Sequence, residues 1–181
     1  MRLTTERLVL RPFTAADAPA FAAYRSDPDV ARYQGWEAPF SLARAEEFVR
    51  DVGAADPNAP GWYQYAVEVG GVLVGDVGVD LHENRRQAEI GYTLAAAHQG
   101  HGYATEAVRR VLAHLFEVRG LHRVSAECDA RNARSARLLT RLGFRQEGHR
   151  VRSTWAKGEW TDDLLFGLLA EEWRAAGGER G

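Results

Sequence analysis

The chain has 181 residues, of which 45% are hydrophobic, and this fits one domain of ordinary size with a real core. Lysine and arginine number 23 and aspartate and glutamate 25, so the net charge of −2 argues against a dedicated nucleic-acid-binding protein, which would carry a basic excess. One cysteine excludes an internal disulfide, and neither a membrane-spanning run nor a signal-peptide core is present, so a cytoplasmic protein without nucleic-acid or membrane partners is predicted.

The first half of the chain predicts strands interleaved with two helices. The alternating run RLVLRPF (7–13) predicts a strand, and Thr14 is suited to cap the helix that follows. Ser41 precedes a second helical pattern whose apolar residues share one face. Farther on, Gly70 and Gly71 separate two β-rich runs, which predicts a hairpin.

The second half predicts a strand–helix–strand unit and then a short helix with two closing strands. QAEIGYTL (87–94) and HRVSAEC (122–128) are the strands of the unit, and a right-handed crossover would place them parallel. Asn132 is suited to cap the short helix. This order of elements predicts a mixed α/β domain over residues 1–174 and a disordered tail over 175–181.

The loop HQGHGYATEA (98–107) lies between the first strand of that unit and its helix. Helix N-termini attract phosphate, and glycine lets the backbone approach a ligand closely. A nucleoside-triphosphate loop would need a lysine and a hydroxyl residue after its last glycine, and neither is present. The dinucleotide fingerprint fits Gly100 and Gly102, but Thr105 replaces its third glycine. An acidic residue near the end of the next strand, Glu127 or Asp129, keeps that alternative open.

The pattern Gln99-x-x-Gly102-x-Ala104 resembles the acetyl-CoA signature of the GNAT acetyltransferase superfamily. Further segments resemble the same family, and some of them its branch of ribosomal-protein N-terminal acetyltransferases, the RimJ/RimL type. These segments are AEIGYTL (88–94), NARSARLLTRLGF (132–144), TERLVLRPFTAADAPAF (5–21) and GEWTDDLLFGLLAEEW (158–173). The resemblance extends from about Leu3 to Trp173.

The resemblance implies a GNAT fold, classed as α/β (α+β), with a mixed, mostly antiparallel sheet of about six to seven strands and helices on both faces. It also implies acetyl-CoA as cosubstrate. Loop amides would bind its pyrophosphate, the strand before the loop would run beside its pantetheine arm, and an arginine, Arg134 or Arg137, would meet its 3′-phosphate. The cofactor-binding residues implied are Tyr92, Thr93, Leu94, Gln99, Gly100, His101, Gly102, Tyr103, Ala104, Thr105, Asn132 and Arg137. No metal is expected, because no further ligand residues accompany His98 and His101 in the loop.

Acetyl transfer requires that the amine lose a proton, that the oxyanion find a donor and that the departing thiolate be stabilised. Leu139 stands where many members of the family carry a tyrosine acid, and the branch resemblance implies Ser135, or water, in its place. Glu89 is the first candidate base, followed by Glu127, Asp162 and a water chain. Each choice has a structural alternative, since Ser135 can simply bond within the first helical turn and Glu89 can be a solvated strand residue.

The resemblance implies that the acceptor pocket lies beside Tyr33 and Trp36, in a polar loop rich in aromatic residues between two helices. The expected function is N-acetyl transfer in a ternary complex to a primary amine, which could be a protein N-terminus, a small metabolite or an antibiotic. Two alternatives stay open. One is an acyl-CoA-binding regulator without turnover, and the other is an NAD(P)-dependent enzyme on a Rossmann-like unit. The branch resemblance also makes a homodimer an expectation.

Overall fold

The computed structural model describes residues 1–178, and within them one eight-stranded sheet is flanked by helices. The strands are β1 (Leu3–Thr4), β2 (Val9–Arg11), β3 (Gly61–Val69), β4 (Val72–Leu81), β5 (Gln87–Leu94), β6 (Arg123–Asp129), β7 (Arg145–Ala156) and β8 (Glu159–Leu169). The helices are α1 (Ala18–Arg25), α2 (Pro28–Ala31), α3 (Leu42–Ala54), α4 (Tyr103–Ala113), α5 (Ala133–Arg141) and α6 (Ala170–Ala175). A π-helical turn, His114–Val118, continues α4.

The strands follow the order β1-β2-β3-β4-β5-β6-β8-β7, and all neighbours are antiparallel except β5 and β6. The predicted fold class is therefore confirmed, as is the parallel pairing of the strand–helix–strand unit. The sheet has one strand more than the largest number predicted. That strand is β1, whose two residues pair with Val9 and Leu10 and are too few to give a periodic signal.

Apolar side chains form a core on each face of the sheet. Along β3, Tyr65 and Val67 join a cluster with α4, α5 and α6, whereas Ala66 joins a second cluster with α1 and α3. Because side chains alternate across a strand, these clusters lie on opposite faces. Ser41 caps α3 as predicted, since its Oγ accepts a hydrogen bond from the backbone of Arg44 at 3.3 Å.

The C-terminal segment departs from the predicted strand. β8 ends at Leu169, whose N–H donates to the carboxylate of Glu172 at 2.8 Å, and α6 begins at the next residue. Trp173 donates from its indole to Glu117 at 2.8 Å, which fastens α6 to the end of the α4 segment. Of the predicted tail, residues 179–181 lie outside the described range. No helix in the described part of the chain is both long and apolar enough to cross a membrane.

The parallel ladder between β5 and β6 ends before either strand does. It joins Gln87–Ile90 to Arg123–Ala126. Beyond that point β5 stays paired with β4 as far as Leu94, and β6 stays paired with β8 as far as Asp129. The two strands therefore separate, and we call the gap between 91–94 and 127–129 the wedge.

β4 and β5 are packed closely at the edge of the wedge. A Cβ added at Gly75 would lie 2.1 Å from the carbonyl oxygen of Thr93 and 2.7 Å from Cδ2 of Leu94. Glycine is therefore needed at this position for the two strands to approach each other.

Replacing Gly75 with alanine is expected to lower the free energy of unfolding by about 1–3 kcal/mol, because the new methyl group pushes β4 from β5. The matched variant Gly91→Ala, whose added Cβ meets nothing within 4 Å, is expected to change it by no more than about 0.5 kcal/mol. Equilibrium urea unfolding measures both values. Equal losses in the two variants would contradict the close packing at Gly75.

Candidate active site

The wedge opens into a cleft of about 1120 Å³. Its walls come from the end of β5, the loop before α4, the start of α5, and α2 with the residues that follow it. The predicted site residues that line it are Tyr33, Tyr92, Thr93, Leu94, Gln99, Gly100, Gly102, Tyr103, Ala104, Thr105, Asn132, Ser135 and Arg137. The fold thus brings together segments that are far apart in the sequence.

The backbone of β5 points polar groups into the wedge. The N–H of Ala95 donates to the carbonyl of Val74 on the β4 side. The backbone N–H and C=O groups of the odd-numbered residues along this strand therefore face β4. By the alternation of a β ladder, the N–H and C=O groups of Tyr92 and Leu94 face the wedge. The carbonyl of Leu94 accepts from the side chain of Gln99 at 3.1 Å. The edge of β5 could therefore pair with an extended ligand as an added strand would.

The loop before α4 is shaped for an anion. Gly100 and Gly102 have φ angles of +82° and +83°, which favour glycine. Gly102 is the N-cap of α4, and no side chain caps the helix. The N–H groups of the first turn have no partner within the helix, so Tyr103, Ala104 and Thr105 can donate to a ligand at its positive end.

Arg7 fastens this loop from the outside. Its guanidinium donates to the carbonyl of His101 at 3.0 Å and forms an ion pair with Glu106 in the first turn of α4 at 2.5 Å. His101 is not among the lining residues of the cleft, and its ring stacks on that of Tyr103 with 5.6 Å between centroids. These contacts hold the loop in place before any ligand binds.

Positive charge dominates the cleft. Among the described residues that line it, Asp29 is the one acidic residue. The basic lining residues are Arg32, Arg131, Arg134, Arg137 and Arg141. Arg131 is neutralised by ion pairs with Asp129 and Glu159, both at 2.7 Å. The remaining excess of positive charge favours an anionic ligand.

Arg134 and Arg137 were predicted from the sequence, whereas Arg32, Arg131 and Arg141 were not. The spacing of Arg134, Arg137 and Arg141 along α5, i, i+3 and i+7, was the available signal for a basic stripe on one helix face. Arg134 also donates to Gln99 at 2.9 Å, so the glutamine joins α5 to β5 rather than standing free.

Asn132 and Ser135 lie where α5 begins at the cleft. Asn132 is the predicted cap, because its Oδ1 accepts from the N–H of Ser135 at 3.2 Å. The hydroxyl of Ser135 lies 2.7 Å from that of Tyr92, and this contact between distant residues was not predicted from the sequence. Leu139, one turn farther on, is fully buried in the core and does not reach the cleft.

The side chain of Glu89 lies on the face of the sheet opposite to that of Tyr92. It is three residues from Tyr92 on β5, so the two side chains point to opposite faces, and it is not among the lining residues of the cleft. Burial raises the pKa of Glu89, and the nearby carboxylates of Glu127 and Asp80 raise it further. A base at Glu89 would therefore act from the side of the wedge opposite to Tyr92.

The two other candidate bases are engaged elsewhere. Glu127 accepts from Arg150 at 2.7 Å. Asp162 accepts from the backbone of Arg152 and contacts the ring of His149, both at 2.8 Å, and these hydrogen bonds lower its pKa. Glu89 is thus the candidate carboxylate whose environment favours taking a proton.

The two acceptor candidates do not lie together. Tyr33 lines the cleft, with the guanidinium of Arg131 5.8 Å from its ring centre. Trp36 faces away, since its ring covers the guanidinium of Arg25 at 3.9 Å and its indole donates to the carbonyl of that residue at 3.0 Å. Over residues 1–178, no group of three His, Cys, Asp or Glu side chains is arranged to hold a metal ion.

Comparison with known proteins identifies relatives over nearly the whole chain. Residues 7–145 match the family described as an acetyltransferase (GNAT) domain. The uncharacterized N-acetyltransferase p20 of Bacillus licheniformis is 32% identical over 176 residues, which cover 94% of this chain and 97% of that protein. The ribosomal protein uS5-alanine N-acetyltransferase of Escherichia coli is 27% identical, covering 96% and 93%. A crystal structure of a GNAT-family acetyltransferase from Bacillus anthracis matches with a TM-score of 0.84 and 29% identity, covering 94% and 99%.

Replacing Glu89 with glutamine is expected to stabilise the fold at pH 8 more than at pH 4. Its raised pKa means that the folded state binds the proton more tightly than the unfolded chain. Near or below the unfolded pKa of about 4.3 the carboxyl is protonated in both states, and the gain is small. The gain grows as pH rises through the folded pKa and then levels off.

Urea unfolding at the two pH values measures this difference, with Glu46→Gln on the exposed side of α3 as the matched control. An identical gain for Glu89→Gln at pH 4 and pH 8 would contradict the raised pKa of Glu89.

Proposed function

This chain belongs to the GNAT acetyltransferase family, and we propose that it moves the acetyl group of acetyl-CoA to a primary amine by direct transfer in a ternary complex. One observation carries the proposal: an anion-suited helix start, a basic helix face and an open strand edge share one cleft. Each of these matches one part of acetyl-CoA.

The phosphate groups of acetyl-CoA would bind near the starts of α4 and α5. The N–H groups of Tyr103, Ala104 and Thr105 would bind the pyrophosphate, with the positive end of α4 behind them. On the exposed face of α5, Arg137 or Arg134 would bind the 3′-phosphate, because guanidinium pairs well with phosphate oxygens.

The pantetheine arm corresponds to the wedge. Its amides could pair with the N–H and C=O groups that Tyr92 and Leu94 direct into the gap. Asn132 uses its Oδ1 for the helix cap, so its amide nitrogen remains as the donor toward pantetheine. A β5 amide in the wedge would also donate to the thioester carbonyl and stabilise the oxyanion that develops there.

The proposed transfer uses both faces of the sheet. Glu89 or a water held there removes a proton from the ammonium, and the freed amine attacks the thioester carbon. The new C–N bond forms and the C–S bond breaks, with its electron pair going to sulfur. Ser135 or water donates to the departing thiolate from the other face.

The acceptor class follows from the chemistry of the relatives. The Escherichia coli relative is named for acetylation of an alanine of ribosomal protein uS5, and this supports a primary amine, including a protein N-terminus, as acceptor here. A small metabolite or an antibiotic amine fits the same chemistry. Tyr33 would border the acceptor, and Trp36 would support its loop from behind.

Release of the CoA thiol on addition of an amine tests this function. The panel contains a peptide with an N-terminal alanine, a diamine and an aminoglycoside, each assayed with acetyl-CoA. Intersecting initial-rate lines are expected, since both substrates must be bound together. Ser135→Ala is expected to lower kcat by about 100-fold, and Glu89→Gln by a similar factor, while the Kd of acetyl-CoA stays within about twofold.

Parallel initial-rate lines would contradict direct transfer. Acetyl-CoA binding without thiol release for any amine would favour the regulator, and binding of NADPH instead of acetyl-CoA would favour the dinucleotide enzyme.

A further inference from the structure

The side chain of Tyr92 crosses from the sheet to the start of α5. Tyr92 lies two residues beyond the last β5–β6 pair, and its hydroxyl lies 2.7 Å from Oγ of Ser135 and 3.4 Å from the carbonyl oxygen of the same residue. Among the described residues, no other hydroxyl forms a hydrogen bond with Ser135 Oγ. The phenol therefore meets Ser135 at the point where the wedge opens.

The neighbours of the serine hydroxyl are neutral. Burial raises the pKa of Tyr92, and burial likewise raises the pKa of the Cys128 thiol, which interacts with the same hydroxyl. A protonated phenol keeps its hydrogen available as a donor. Among the described residues, the side-chain partners of Ser135 Oγ are Tyr92 and Cys128, and neither is a carboxylate.

The hydrogen-bonding capacity of the serine hydroxyl then limits where its proton can go. A serine hydroxyl has one hydrogen and two acceptor positions. If the phenol donates to Oγ, the hydrogen of Ser135 is left for another acceptor, which is either the Cys128 sulfur or an atom of a ligand in the cleft. The backbone N–H of Ser135 is already held by Asn132, which fixes the backbone that carries the hydroxyl at the start of α5.

The next turn of α5 offers no substitute for this pair. Leu139, four residues after Ser135, is 0% exposed and belongs to the core. Ser135 and Tyr92 thus supply a pair of contacting hydroxyls that α5 and β5 bring together beside the wedge.

We infer that Tyr92 is a positioning residue whose phenol orients the Ser135 hydroxyl toward the departing sulfur. This role rests on the acetyl transfer proposed above. As the C–S bond breaks and its electron pair moves to sulfur, Ser135 donates a hydrogen bond to the thiolate. The proton lost by the amine leaves through Glu89 or water, and the phenol keeps its own proton throughout.

A double-mutant cycle of Tyr92→Phe and Ser135→Ala tests the inference. Tyr92→Phe is expected to lower kcat by about tenfold, with little change in KM, because the hydrogen bond acts on the transition state rather than on binding. The double variant is expected to be no slower than Ser135→Ala alone, since Tyr92 acts through the serine. Tyr63→Phe is the matched control, because its buried hydroxyl has no hydrogen-bond partner and lies outside the cleft.

A melting curve of every variant shows that it is folded, and the Kd of acetyl-CoA is expected to match that of the parent protein. An unchanged kcat in Tyr92→Phe, or losses that multiply in the double variant, would overturn the positioning role while leaving the proposed function intact. A parent protein that binds acetyl-CoA but transfers nothing would overturn both.

Discussion

The early end of the parallel ladder between β5 and β6 is the constraint on which the site depends. A backbone edge inside a fold must find partners for its polar groups, because an unpaired N–H or C=O away from water is costly. At Leu94 one such group is bonded by Gln99, whereas the groups of Tyr92 face the wedge. The same separation creates the cleft between β5 and α5, so the binding surface and the edge that needs a partner have one origin.

The surroundings of the wedge divide the chemistry between two faces. Tyr92 and Ser135 lie on the side of α5, together with the basic residues that suit a phosphorylated ligand. Glu89 lies on the opposite side, near Glu127 and Asp80, where carboxylates suit a cationic amine. In the direct transfer that we propose, the two substrates would approach the same gap from opposite directions.

Much of this arrangement follows from local sequence patterns. The caps at Ser41 and Asn132, the strand at 87–94 and the glycines before α4 were predictable because each depends on a few neighbouring residues. The glycine spacing alone left the nature of the anion open. The flanking segments indicated the family because they are spread along the chain from Thr5 to Trp173.

Other features depend on contacts between distant residues and had no local signal. The point at which β5 and β6 part is set by the pairing of β6 with β8, some 40 residues later in the chain, and no periodicity encodes it. Arg32 reaches the cleft only because α2 packs beside it. Trp36 was predicted beside Tyr33 because the two are close in sequence, yet a stacking contact with Arg25 directs it away from the cleft.

Amide hydrogen exchange with and without acetyl-CoA shows whether this ligand binds along β5 and at the start of α4. The N–H of Thr93, which faces β4, is the internal reference. Slower exchange is expected at Tyr92, Leu94 and the first turn of α4 when acetyl-CoA is added, and no such change is expected with NADPH. Exchange unchanged at these amides while acetyl-CoA is bound would contradict this expectation.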